Sequence, residues 1–130
     1  MYKNYLYAIV AGIAIGLFTI YVLPPEFELF LWPMMIVAIG YFGAKVNTKS
    51  YFWTGFWYAL TVGISITLTH LSLTSDYLSS HPAEKHQITN YDPGLAPQLV
   101  LLMAAPIYWL ILGGLSGLMT ILWTKVNKAN

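Results

Sequence analysis

Four long apolar stretches, none with Asp, Glu, Lys or Arg in its interior, constrain this 130-residue chain more than any other feature. They cover about residues 5–23, 27–44, 51–73 and 97–123. Each is close to the ~20 residues a helix needs to cross the hydrocarbon core of a bilayer. A charge at the centre of such a helix costs about 2.5–3.5 kcal/mol on insertion scales, so charge-free interiors are what lipid requires. Only 8% of the residues are charged and 58% are hydrophobic. A soluble domain carries about 25% charged residues, and a soluble surface of this size could not be covered with so few. The expectation is an all-α polytopic membrane protein: a single membrane domain of four transmembrane helices in an up-down bundle, with an extracytoplasmic loop at about 74–96.

The same composition removes several classes. Net charge is +1 without a basic patch, which excludes a nucleic-acid binder. The chain is too apolar for disorder. Cysteine is absent, which excludes disulfide frameworks, thiol chemistry and Cys-ligated metals. The six basic residues are all lysine, which suggests an AT-rich bacterial genome.

Proline and polar residues set the helix ends. Pro24-Pro25 closes the first helix, and the tight hairpin through Glu26 makes helices one and two expected antiparallel neighbours. Lys45 to Ser50 is a short polar turn, and Asp92-Pro93 supplies an N-cap and first-turn residue ahead of helix four. With a cytoplasmic N-terminus, Lys3, Lys45, Lys49, Lys125 and Lys128 lie inside and only Lys85 outside, so the positive-inside rule places both termini in the cytoplasm. Glu26, Glu28, Asp76, Glu84 and Asp92 then all fall outside. The start Met1-Tyr2-Lys3-Asn4 passes as a signal-peptide n-region. The apolar run after it is too long, and no small-x-small site precedes Pro24, so retention is expected.

Helices in lipid associate through small residues and interhelical hydrogen bonds. Gly12 and Gly16 form such a stripe with Ala8 on helix one, Gly55 and Gly63 with Ala59 and Thr67 on helix three, and Gly113 and Gly117 on helix four. Helix two offers Gly40, Gly43 and Ala44. These faces serve packing within the bundle, or contact with a homo-oligomer or a membrane-protein partner. Helix three is the most polar, with Thr61, Ser65 and Thr69 four apart and Thr67 nearby, so it is expected to be central. Pro106 breaks one backbone bond of helix four, and Tyr108 follows at the level of Gly63 and Ser65, with Ser65 a candidate partner for its hydroxyl. Thr61, Ser65, Thr67, Pro106 and Tyr108 therefore make a candidate midplane polar site. Tyr2, Tyr5, Tyr7, Tyr51, Trp53 and Trp123 suit an inner aromatic belt, and Tyr21, Phe27, Trp32, Tyr77 and Tyr91 an outer one.

The connection at 74–96 is long enough to be a functional candidate, and helix three is expected to continue to about Ser80, where Pro82 stops it. His70, His81 and His86, with Glu84 or Asp92, are the candidate outer metal or pH site. Their spacing is poor for zinc: Pro82 lies between His81 and His86, and no HExxH occurs. No second helix-borne histidine accompanies His70, so haem is not expected, and no other cofactor is implied. Nucleophile-elbow, P-loop and dinucleotide motifs are absent, so an enzyme is not expected.

The run Ala11-Gly12-Ile13-Ala14-Ile15-Gly16, the helix end Gly40-Tyr41-Phe42-Gly43, and a polar outer segment before a Gly-rich last helix resemble small bacterial inner-membrane proteins of domain-of-unknown-function families. That resemblance implies a four-helix membrane fold and no particular activity. The leading expectation is a non-enzymatic accessory, assembly or structural protein that binds a partner through its small-residue faces or its outer loop. The alternative is a small homo-oligomeric transporter or channel that uses the polar midplane site between helices three and four.

Overall fold

The computed structural model describes residues 2–46, 49–91 and 93–129. Among them the chain is all-α, without strands. The elements are α1 (Tyr2–Tyr21), a 3₁₀ turn (Pro25–Phe27), α2 (Glu28–Ala44), α3 (Tyr51–Ser72), α4 (Thr74–Ser80), α5 (Pro82–Tyr91) and α6 (Pro97–Ala129). Three segments, Lys3–Tyr21, Pro25–Ala44 and Pro97–Lys128, are long and apolar enough to cross a membrane, and α3 with α4 makes a fourth if the bent pair counts as one span. The N-cap expected at Asp92, the turn residues Asn47 and Thr48, and the side chains of Tyr2 and Tyr91 lie outside the described residues.

The segment 74–96, which the sequence reads as a loop, is mostly helical. Helix three does resume to Ser80, but only after a 94° bend between α3 and α4. The bend falls at Leu73, with neither Pro nor Gly beside it. Thr74 accompanies the break: its hydroxyl donates to the Leu71 carbonyl at 2.8 Å and lies 3.2 Å from the His70 carbonyl, covering acceptors that the interrupted helix leaves open. A second break falls at His81, where the following Pro82 disfavours helical backbone. Pro25 and Pro33 open the 3₁₀ turn and sit within α2, while α6 runs without interruption through Pro106.

Helix α3 is central, as its polarity implied. It packs against α1, α6 and α2, and α2 also packs along α6. Glycines set the registers. A Cβ built at Gly12 would lie 2.6 Å from Ser65 Cβ, and one at Gly16 2.8 Å from Thr69 Cβ, so α1 and α3 run parallel. Gly113 and Gly117 meet the rings of Phe56 and Phe52, so α6 runs antiparallel to α3. Gly40 meets Met119 and Gly43 meets Thr120, so α2 runs with α6. The hairpin argument for α1 and α2 is corrected: their contact is marginal, because α1 docks on α3 and α2 docks on α6. A tight turn fixes only the ends it joins, while close-packed glycine faces decide which helices lie together.

Burial runs opposite to that of a soluble domain. Ala59, Ser116 and Thr120 are fully inaccessible, whereas Leu29, Met34, Ile107 and Leu110 are among many large apolar side chains left exposed. Small and hydroxylated residues thus form the interior, and the outward faces are the ones that apolar solvent would cover. Most buried hydroxyls are satisfied locally, as in Ser65 to the Thr61 carbonyl and Thr120 to the Ser116 carbonyl (both 2.8 Å), whereas that of Ser116 has no partner among the described residues.

Candidate functional site

The half of the bundle nearest α4 and α5 is not filled. A cavity of about 660 Å³ occupies it, within the range of small-molecule sites. Ile15 of α1, Leu31 and Met35 of α2, Ile66 of α3 and Leu101 and Ala105 of α6 give it apolar walls. Trp32, Tyr108 and Trp109 add aromatic faces, Trp32 and Tyr108 with ring centroids 5.8 Å apart. Gly63 lets the Trp109 ring approach, since a Cβ there would lie 2.9 Å from it, and Trp109 Nε1 donates to Thr67 Oγ1 at 3.0 Å.

The α4–α5 end of the cavity is polar. Glu28, His70, Tyr77 and Glu84 all line it, with Thr19. The Tyr77 ring is sandwiched between two imidazoles, 4.2 Å from His70 and 4.4 Å from His81. Tyr77 donates its hydroxyl to Glu84 Oε2. His81 Nε2 lies 2.9 Å from Glu28 Oε1, and its Nδ1 lies 3.0 Å from the Tyr77 carbonyl. A carbonyl only accepts, so Nδ1 carries a proton, and Ser80 Oγ, which itself donates to the Tyr77 carbonyl, lies 2.9 Å from the same nitrogen. Thr19 donates to the Gly16 carbonyl, so His70 Nε2 donates to Thr19 Oγ1 at 2.9 Å. This end rests on a small apolar cluster of Ile20, Tyr77, Leu78 and Ile88.

Sequence-derived candidates divide around this cavity. His70, Thr67, Tyr108 and Gly63 line it, and His81 sits behind its wall, 2% exposed. His86 lies apart from His70 and His81 on the exposed side of α5, against Asn90. No grouping of three metal-ligating side chains occurs among the described residues. Thr61 and Ser65 bond back to Trp57 and Thr61 carbonyls and do not line the cavity. Pro106 is exposed. Tyr108 does not reach Ser65: it is 55% exposed and stacks near Trp32, and its neighbour Trp109 is the residue turned inward. Tyr77 is 5% exposed and is not a belt anchor. Gly12, Gly16, Gly55, Gly63, Gly113 and Gly117 all face other helices of the same chain, whereas a Cβ at Gly114 would meet nothing within 4 Å.

Thr19 and Glu28 escaped sequence reasoning. Glu28 was read only as an outside charge, and its partner His81 lies 53 residues away. The usable signal was an acidic residue at the start of an apolar helix, facing a long connection with unassigned histidines. Comparison with protein-family models, curated proteins and solved structures finds no match.

Proposed function

We propose that this chain is a non-enzymatic, four-helix up-down protein of a bacterial inner membrane, with both termini cytoplasmic, that binds a small amphipathic molecule in the cavity. The observation that carries this reading is one cavity with two chemistries. Its walls are apolar and aromatic, and its α4–α5 end holds Glu28, His70, Tyr77 and Glu84. A ligand with an apolar body and a polar head satisfies both parts. The alternative of a small transporter uses the same cavity, through Thr67 and Tyr108. Recruitment of a partner through small residues falls on Gly114, the glycine of α6 that no other helix covers.

The test is native mass spectrometry of the protein gently extracted from its own membrane, beside Ala104→Phe. Ala104 lines the cavity, and a phenyl group there reduces its volume. The expected result is a stoichiometric small molecule on the wild type that the variant lacks. A wild-type protein that carries only annular lipid, equally in both forms, overturns the reading. A stoichiometric protein partner supports an accessory role instead.

A further inference from the structure

Resting on the cavity reading above, we infer that the cavity selects a lipophilic cation, with its charge held beside Glu84 and its apolar body among Trp32, Tyr108 and Trp109. Charge complementarity carries the inference. The cavity lining includes two carboxylates, Glu28 and Glu84, and no lysine. Among the described residues the sole ion pair is Glu28 with His81. Glu28 has His81 Nε2 as its partner at 2.9 Å. Among the described residues, Glu84 has the neutral phenol of Tyr77 as its one hydrogen-bond donor. His70, the other imidazole at this end, is engaged by Thr19 and stacked on Tyr77. One carboxylate therefore faces a largely apolar cavity without a countercharge.

A carboxylate in such surroundings is costly unless a cation sits near it. The aromatic walls add to the preference, because a cation over a Trp or Tyr face is attracted by the ring quadrupole. An anionic ligand meets repulsion from Glu84, and a neutral one leaves it uncompensated.

The experiment places the whole protein in nanodiscs of zwitterionic phosphatidylcholine. Intrinsic tryptophan fluorescence is followed against three probes of related shape: tetraphenylphosphonium, neutral triphenylphosphine oxide and tetraphenylborate. Trp32 and Trp109 line the cavity and report directly. Glu84→Gln is the variant, because its amide oxygen still accepts from Tyr77. Empty nanodiscs subtract partitioning into lipid. The expected result is saturable binding of the phosphonium, at least tenfold tighter than the oxide, with Glu84→Gln weakening the cation tenfold and leaving the oxide unchanged. Equal binding of oxide and cation, tighter binding of the borate, or a cation affinity indifferent to Glu84→Gln overturns the charge selection and leaves the cavity as a site. Absence of saturable binding by any probe to the folded wild type overturns both.

Discussion

His81 Nε2 lies 2.9 Å from Glu28 Oε1, and this single contact ties the end of α4 to the first residue of α2. The imidazole side chain is 1% exposed and the carboxylate 20%, so water contributes little to either partner. Hydrogen bonds to charged groups contribute roughly 1.5–3 kcal/mol, and stranding one partner costs its desolvation. His81→Ala is expected to lower stability by an amount in that range. Glu28→Gln retains an oxygen acceptor but removes the charge of the ion pair, and is expected to cost a comparable amount. Thermal unfolding in detergent, followed by circular dichroism, measures both, and a loss less than half as large in Glu28→Gln would show that the hydrogen bond alone holds the pair.

The contrast between Gly55 and Gly114 tests whether the glycines are packing surfaces of this chain. A Cβ at Gly55 would collide with Thr120 Oγ1 and lie 2.7 Å from the Ser116 carbonyl, while one at Gly114 meets open space. Overpacking of this kind costs typically about 1–3 kcal/mol. Gly55→Ala is therefore expected to lower the unfolding temperature clearly. Gly114→Ala is expected to leave it unchanged or raise it, since alanine favours helix by up to about 1 kcal/mol over glycine. If the two variants behave alike in monodisperse detergent, α3 and α6 do not approach through Gly55.

How far the sequence carries depends on whether a feature is local. The apolar stretches were legible because lipid demands an uninterrupted run, and α1, α2, α3 and α6 begin or end within a few residues of the expected positions, apart from the longer C-terminal end of α6. The centrality of α3 was legible from Thr61, Ser65 and Thr69, small hydroxylated residues of the kind that line helix contacts in lipid. The neighbours of α1 were not, because the Pro24-Pro25 turn says nothing about the docking of Gly12 and Gly16 on Ser65 and Thr69. The bend at Leu73 carries no Pro or Gly, and only the hydroxyl of Thr74 marks it. The roof of the cavity joins Thr19, Glu28, His70, Tyr77, His81 and Glu84 from α1 to α5. No spacing rule connects residues that meet only after the helices have packed.

Ser116 offers a test of the interior with the opposite sign. It is fully buried, and among the described residues its hydroxyl has no hydrogen-bond partner, whereas its carbonyl accepts from Thr120. An unsatisfied buried hydroxyl is a cost, so Ser116→Ala is expected to leave stability unchanged or raise it by about 1 kcal/mol. Thr120→Ala removes both a satisfied hydroxyl and the methyl packed near Gly43, and is expected to destabilise. Unfolding curves of the two variants, measured in one detergent, check the pair. A clear loss in Ser116→Ala would mean that this hydroxyl is engaged in the folded protein.

The proposed orientation follows from how the registers gather lysines. Lys45 lies over the Tyr41 ring at the end of α2, and Lys128 lies 5.9 Å from the Tyr51 ring at the start of α3, so the turn after α2 and the end of α6 share one end of the bundle. Lys85, on α5, lies at the other end. Loop lysines are retained on the cytoplasmic side, which makes the α4–α5 end the outer one. The chain has no cysteine, so single cysteines can be introduced without background. Lys45→Cys, Lys85→Cys and Lys125→Cys replace side chains that are all exposed. In spheroplasts, a membrane-impermeant maleimide is expected to label Lys85→Cys at once, and Lys45→Cys and Lys125→Cys only after lysis. The reverse pattern would invert the protein and place the cavity's polar end in the cytoplasm. Labelling of Lys45→Cys on the same side as Lys85→Cys would mean that α3, the long helix between them, does not cross the membrane.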